Sequence, residues 1–345
     1  MPPLPLNRGI VAALVSVLLL PGVAWALESD QYYAWGRPLA DATDVLNAKV
    51  RLEIDLALTE VNSRRSWQRI GCHRVVRHIV PRFRHFIFQD IELWAIQSSF
   101  VPRIPATPEE ELEYRQTYVY RNTHLLDVGT KVPPSPTIEV NGVRLGTDKL
   151  AHFFSEGAWY YKWYRGYRRA GRSVEDALRR SVRRGIWWER TTLGLLTSGV
   201  FSLGDLEANY QGLLFMTSLC DTEPPALRKG EDGWRYVGAF DFRDHVSPEW
   251  DESYQVPIFG KHRWGKVRPA LVEYCPKLDD PTVLRRREEY RRRDTLTLTE
   301  REVGRLVDAG RLPDPGQFSL DSNCPRVGDE IPVASSQRPP DLTKH

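Results

Sequence analysis

The chain has 345 residues, with 48 Lys and Arg against 45 Asp and Glu and a formal net charge of +3. A balance that close excludes bulk attraction to a polyanion as its organising feature. Aromatic residues make up 11 %, with 11 Trp and 14 Tyr, a composition that builds a large core and argues against disorder.

Arg8, the apolar run from Gly9 to Leu20, the break at Pro21-Gly22 and the small residues of Ala24-Trp25-Ala26 read as a signal peptide over residues 1–26, cleaved after Ala26. The run is too short for a spanning helix, and no Cys follows the cleavage point to take a lipid. The expectation is an exported chain, periplasmic or secreted, with no transmembrane span in its mature part. Cys72, Cys220, Cys275 and Cys324 are an even set in an oxidising compartment, so two disulfides are expected, with three pairings open. No C-x-x-C occurs, which excludes a zinc knuckle or a thioredoxin-type site.

Along the mature chain, Val45, Leu46, Val50, Ile54, Leu58 and Val61 repeat at helical spacing and predict a helix over about 41–61, capped by Asp41 or Thr43. From Cys72 to Phe100, with its run Phe86-Ile87-Phe88 and then Ile91, Leu93 and Trp94, periodicity does not choose between strand and buried helix. Pro102, Pro105 and Pro108 mark a turn before a short acidic helix, about 109–120. Thr137 to Leu145 reads as a hairpin, because Asn141-Gly142 accepts the positive φ of a type I′ turn. Three helices follow, near 148–169 with Thr147 as cap, 174–196 with a Ser173/Asp176 capping box, and 203–219 with a Ser202/Asp205 capping box. Pro224-Pro225 opens a region of short strands and loops up to about Pro276, and charged helices follow at about 281–293 and 300–309. The expected fold class is mainly α with minor β: a helical bundle core, a hairpin and an irregular C-terminal region. The expected division is a main domain over 27–276, a charged helical extension over 277–328 and a disordered tail over 329–345.

Chemistry concentrates in three pieces. Asp148, His152 and Glu156 are spaced four apart, which stacks them on one helical face beside Lys149. A carboxylate one turn from an imidazole either shares a divalent metal ion with it or orients it for acid–base work. The bland alternative is a surface ladder at a helix N-terminus. Glu189 sits in mid-helix beside Trp187 and Trp188, and Asp205 and Asn209 share a helix face in an otherwise apolar stretch. The segment from Asp241 to Ser253 gathers acids, including Asp251 and Glu252, with His245 and Trp250, and reads either as a binding loop or as a packed turn anchored on Trp250. His73, His78 and His85 lie among arginines at no ligand spacing, and His124 sits in a loop near Asp127.

Asp148-Lys149-x-x-His152-Phe153 on one helix, Glu189 about forty residues on, then Ser202-x-x-Asp205-x-x-x-Asn209-x-x-Gly212 resembles the VanZ-like pattern over about residues 148–212. Members of that family are small integral membrane proteins tied to glycopeptide resistance or to unassigned envelope roles. The resemblance therefore implies an envelope setting more than a reaction, and it carries over Asp148, Lys149, His152, Glu189, Asp205 and Asn209 as polar positions. This chain departs from the family in its cleavable leader and in helices too charged to span a bilayer, so the resemblance implies a soluble, elaborated relative.

The sequence thus predicts a polar cluster between core helices, with Asp148, His152, Glu189, Asp205 and Asn209 as candidate catalytic residues and Lys149, Glu156, Asp251 and Glu252 as candidate binding residues. Asp148, His152 and Asp205 are the candidate ligands for a divalent metal ion. Two functions compete: a non-catalytic envelope protein whose cluster binds a ligand or fixes helix register, and an envelope hydrolase acting on lipid or glycan. Two arginine-rich stretches, Arg165–Arg184 and Arg285–Arg293, read either as solvated faces paired with acids or as contacts to anionic lipid or envelope glycan. No recognised nucleic-acid module, G-x-S-x-G, Walker A, H-E-x-x-H, EF-hand loop or dinucleotide fingerprint is present.

Overall fold

A computed structural model describes residues 29–325, except 65–66, 68, 84–89, 124–133, 192–193, 197 and 293–294. The signal peptide, Phe86-Ile87-Phe88, His85, His124 and the tail from 329 lie outside the described residues. The fold is mainly α with minor β. In chain order the longer elements are α1 (Thr43–Ser63), α2 (Cys72–Ile79), α3 (Asp90–Gln97), α4 (Pro108–Thr117), β1 (Thr137–Val140), β2 (Val143–Gly146), α5 (Asp148–Ala151), a π turn (His152–Glu156) and α6 (Gly157–Arg169). They continue with α7 (Val174–Arg190), β3 (Val200–Phe201), α8 (Leu203–Cys220), β4 (Leu227–Gly230), β5 (Gly233–Tyr236), β6 (Ile258–Phe259), α9 (Lys261–Leu271), α10 (Pro281–Arg291), α11 (Leu298–Asp308) and α12 (Leu320–Asn323). Among the described residues no helix is long and apolar enough to cross a membrane.

The hairpin forms as its turn chemistry dictates. Asn141 (φ 53°) and Gly142 (φ 73°) carry the two positive φ angles of a type I′ turn, and Ile138 pairs with Leu145 in the ladder they close. The ambiguous stretch after Cys72 is helical at α2 and α3. The first long helix starts at Thr43, whose backbone N–H donates to Asp41 Oδ1 at 2.7 Å. Thr107 caps α4, accepting from the Glu110 N–H, and Ser173 and Ser202 cap α7 and α8 through the N–H groups of Asp176 and Asp205.

Four local expectations need correction. Thr147 makes no side-chain cap bond. The helix expected to reach residue 196 stops at Arg190. Leu195 N–H turns back to the Glu189 carbonyl, and Gly194 packs so closely that a Cβ there would lie 2.0 Å from that oxygen. The stretch read as strands and loops before Pro276 contains the basic helix α9, which Gly265 and Pro269 disguise. Finally, the helix over 148–169 is interrupted: the Gly157 N–H bonds the His152 carbonyl, a π turn of the kind often found at functional sites.

That π turn is accommodated by glycine. A Cβ on Gly212 of α8 would fall 1.8 Å from the Phe153 carbonyl oxygen, and one on Gly157 would fall 2.9 Å from Gly212 Cα. The two helices therefore cross at backbone contact. Around the crossing Phe153, Phe154, Phe215, Phe240 and Phe242 form an aromatic core, with Phe83 stacked on Phe154 at 4.1 Å. His245 belongs to this core. It stacks on Phe240 at 5.6 Å, and burial lowers its pKa to about 4, so it is a neutral packing residue. Trp250 is fully buried and anchors its turn.

Disulfides join Cys72 to Cys220 and Cys275 to Cys324. The second staples the end of α12 to the segment before α10. Val283, Tyr290, Val303 and Leu320, from the charged C-terminal helices, share one hydrophobic core with the rest of the molecule. The first bridge spans 148 residues and the second 49. Chain entropy then predicts a loss of about 5 kcal/mol for Cys72→Ser with Cys220→Ser and about 4 kcal/mol for the second pair. Urea unfolding of the two double variants checks the order.

Candidate functional site

At the centre of the molecule lies Lys149, completely buried. Its Nζ donates to Asp148 Oδ2 at 2.6 Å and to Glu252 Oε1 at 2.9 Å, and pairs with Asp205 Oδ1 at 2.6 Å. Burial alone would strip the ammonium of its proton. The carboxylates of Asp148, Asp205 and Glu252 outweigh that and hold its pKa well above the ordinary lysine value. Three separate stretches supply the acids: the start of α5, the first turn of α8, and the turn after Trp250. Gly204 makes room, since a Cβ there would meet Lys149 Cε at 3.1 Å.

His152 sits at the edge of this group. Its Nε2 is 3.4 Å from Asp205 Oδ1, and its Nδ1 is 3.1 Å from Asn209 Oδ1. Burial pulls the imidazole down, but Asp205 and Glu156 overcome it and raise the pKa to about 9. An imidazolium has N–H donors on both nitrogens, which matches two oxygen partners. Against the upward push of burial, His152 and Lys149 hold Asp205 below its ordinary value. Unlike Lys149, both residues reach solvent: their side chains are 12 % and 13 % exposed.

Glu189, expected in mid-helix, lies in the last turn of α7 because the helix stops at Arg190. Its Oε1 accepts the Ser202 backbone N–H at 3.3 Å. Burial and then the Asp205 charge raise its pKa to about 8. Two neighbouring carboxyls are thus driven apart, one ionised and one protonated at neutral pH, a pattern that separates acid from base.

The structure therefore brings together Asp148, Lys149, His152, Glu189, Asp205, Asn209 and Glu252, with Glu156 acting on His152 through its charge. Asp251 faces elsewhere. It accepts from Ser253 N at 2.9 Å and from the Tyr290 hydroxyl at 3.2 Å, and it lines a small depression with Trp35, Arg144 and Arg286. Two members of the cluster escape sequence reasoning. Glu92, on α3, accepts from Ser135 Oγ at 2.9 Å, and burial followed by the Asp148 charge lifts it to about 7. A carboxyl between Ile91 and Leu93 in an apolar run was the available signal. Ser202 reads from sequence only as a cap, yet its hydroxyl also donates to Glu252 Oε1 at 2.5 Å and so locks the start of α8 to the cluster. His73 pairs with Tyr161 and Asp221, and His78 stacks on Trp67, both away from the cluster.

Asp148, His152 and Asp205 each present one ligand atom, and the three lie within 4.8 Å of one another. The mixed nitrogen and oxygen set suits a divalent transition metal. The Lys149 ammonium, however, already lies against both carboxylates, and a second cation there would meet its charge directly. As arranged, the residues hold the protein's own cation. No protein-family model, no curated protein and no solved structure matches this chain.

Proposed function

We propose that the chain is an exported envelope hydrolase that works by acid–base chemistry at His152 and Asp205. The observation that carries this reading is the contrast within one cluster: a His152–Asp205 edge that is 12 % and 13 % exposed, backed by buried Asn209, on a sealed Lys149–Asp148–Glu252 floor. The imidazolium of His152 hands its proton to the oxygen that leaves, and the ring then takes back, by way of Asp205, the proton that the attacking water gives up, so both groups end as they began. Asp205, kept ionised by its two cationic neighbours, orients the attacking water and stabilises the ring. Asn209 fixes the ring from the other nitrogen, and Glu189 holds a proton beside Asp205. The leader pattern at residues 1–26 and the two disulfides support export, and the VanZ-like motif over about 148–212 supports an envelope setting. The bond cleaved is then an ester or glycosidic bond of envelope lipid or glycan.

A second reading, a polar network that fixes helix register, is favoured by the complete burial of Lys149. Near-isosteric variants separate the two. Under the acid–base reading His152→Gln and Asp205→Asn keep a melting temperature near wild type. They lose on the order of a hundredfold or more in kcat on labelled envelope lipid or glycan. Under the network reading both variants unfold early and no turnover is seen with the wild type. Elemental analysis of the purified protein adds a third outcome: a stoichiometric divalent ion would replace proton transfer with metal-assisted hydrolysis.

A further inference from the structure

The helix α6 has no acidic residue; its charges are Lys162, Arg165, Arg168 and Arg169. With α7 it presents a face of tryptophans and cations that the acid–base cluster does not use. Lys162 lies over the Trp159 ring at 4.5 Å and Arg184 over Trp163 at 4.7 Å. Trp163 meets Trp188 at 6.1 Å, which meets Trp187 at 6.2 Å. Trp187 is 56 % exposed, and just beyond α7 Leu196 is 77 % exposed. Arg172, Arg179, Arg180 and Arg183 are paired with carboxylates. Among the described residues no ion pair joins Lys162, Arg165, Arg168, Arg169 or Arg184 to a carboxylate. Half of the arginine-rich stretch is therefore salt-bridged, and the other half is charge without a carboxylate partner, with Arg184 on an indole and Arg165 over the Tyr161 ring at 5.9 Å.

We propose that this face docks the protein on an anionic lipid surface. Indole bodies settle at the boundary between headgroups and acyl chains, while lysine and arginine ends meet phosphates. A glycan would stack on open indole faces, but here Lys162 and Arg184 cover faces of Trp159 and Trp163. The docking face also lies close to the cluster. Tyr160, whose ring is 5.3 Å from Trp163, is the α6 residue beside Asn209 and Glu189. Docking holds the His152 edge near the headgroups. The inference stands without the acid–base reading; with it, the substrate is a membrane lipid.

The test is sedimentation of the mature protein with vesicles of phosphatidylcholine alone and of equimolar phosphatidylcholine and phosphatidylglycerol. The expected result is binding to the anionic vesicles only, reversed by salt. Each cation removed lowers partitioning about fivefold, so Lys162→Gln with Arg168→Gln and Arg169→Gln loses on the order of a hundredfold. Trp187→Ser weakens binding further. These side chains are exposed, and circular dichroism checks that the variants fold. His152→Gln binds as wild type does, so a failed hydrolase assay leaves this result standing. Equal binding to both vesicles, no binding to either, undiminished binding by the triple variant, or retention on envelope glycan without vesicle binding overturns the proposal.

Discussion

Replacing Lys149 with Met is expected to destabilise the chain by about 3–5 kcal/mol at neutral pH, the usual consequence of leaving one side of a buried ion pair without its partner. The ammonium faces Asp148, Asp205 and Glu252 within 2.9 Å, so its loss leaves carboxylates crowded together in a largely buried site. Part of the loss is recovered as those carboxyls take up protons. The gap between variant and wild type should therefore narrow between pH 7 and pH 5, and adding Glu252→Gln should restore a further part. Urea unfolding at the two pH values measures it. A variant as stable as wild type at both would mean that the ammonium does not hold the cluster together.

Alkaline pH is expected to weaken the whole fold. Burial raises Glu189 to about 8 and Glu92 and Glu207 to about 7. The folded chain keeps protons that the unfolded chain releases near its ordinary carboxyl value, so stability falls as pH rises from about 4.5 to 8. His152, raised to about 9, contributes stability that is complete below about pH 6.5 and is lost as pH climbs through 9. Asp205, held low, acts in the opposite sense, but only on the acid side of the ordinary carboxyl range. The stability maximum should lie near about pH 5, and denaturant midpoints should fall steadily to about pH 8.5. A profile that is flat or rises over that interval contradicts the protonated state of the buried glutamates.

The sequence carried the local rules well and the distant ones poorly. Asn141-Gly142 announces its hairpin because the turn requires positive φ, and Ser173 and Ser202 announce helix starts because their hydroxyls meet the Asp176 and Asp205 N–H groups. The polar positions of α5 and α8 were legible as acids, His152 and Asn209 within apolar company. The π turn was not, because its cause lies on another helix: Gly212 admits the Phe153 carbonyl. Glu92 was hidden in a stretch with no clear period, and its role depends on Asp148, far along the chain. Asp251 and Glu252 are neighbours in sequence, yet one faces Tyr290 and the other Lys149. Only the packing of α10 against the turn after Trp250 separates them. The arginine-rich stretch divides in the same way, since pairing depends on where acids such as Glu302 arrive from α11.

His152 and Asp205 face each other as one charged pair at the edge of the buried cluster. Nitrogen-15 NMR titration of the His152 ring tests it most directly. The imidazole should stay protonated through neutral pH with a midpoint near about 9, falling sharply in Asp205→Asn. A midpoint near about 6.5, the ordinary histidine value, unmoved by Asp205→Asn, would contradict it.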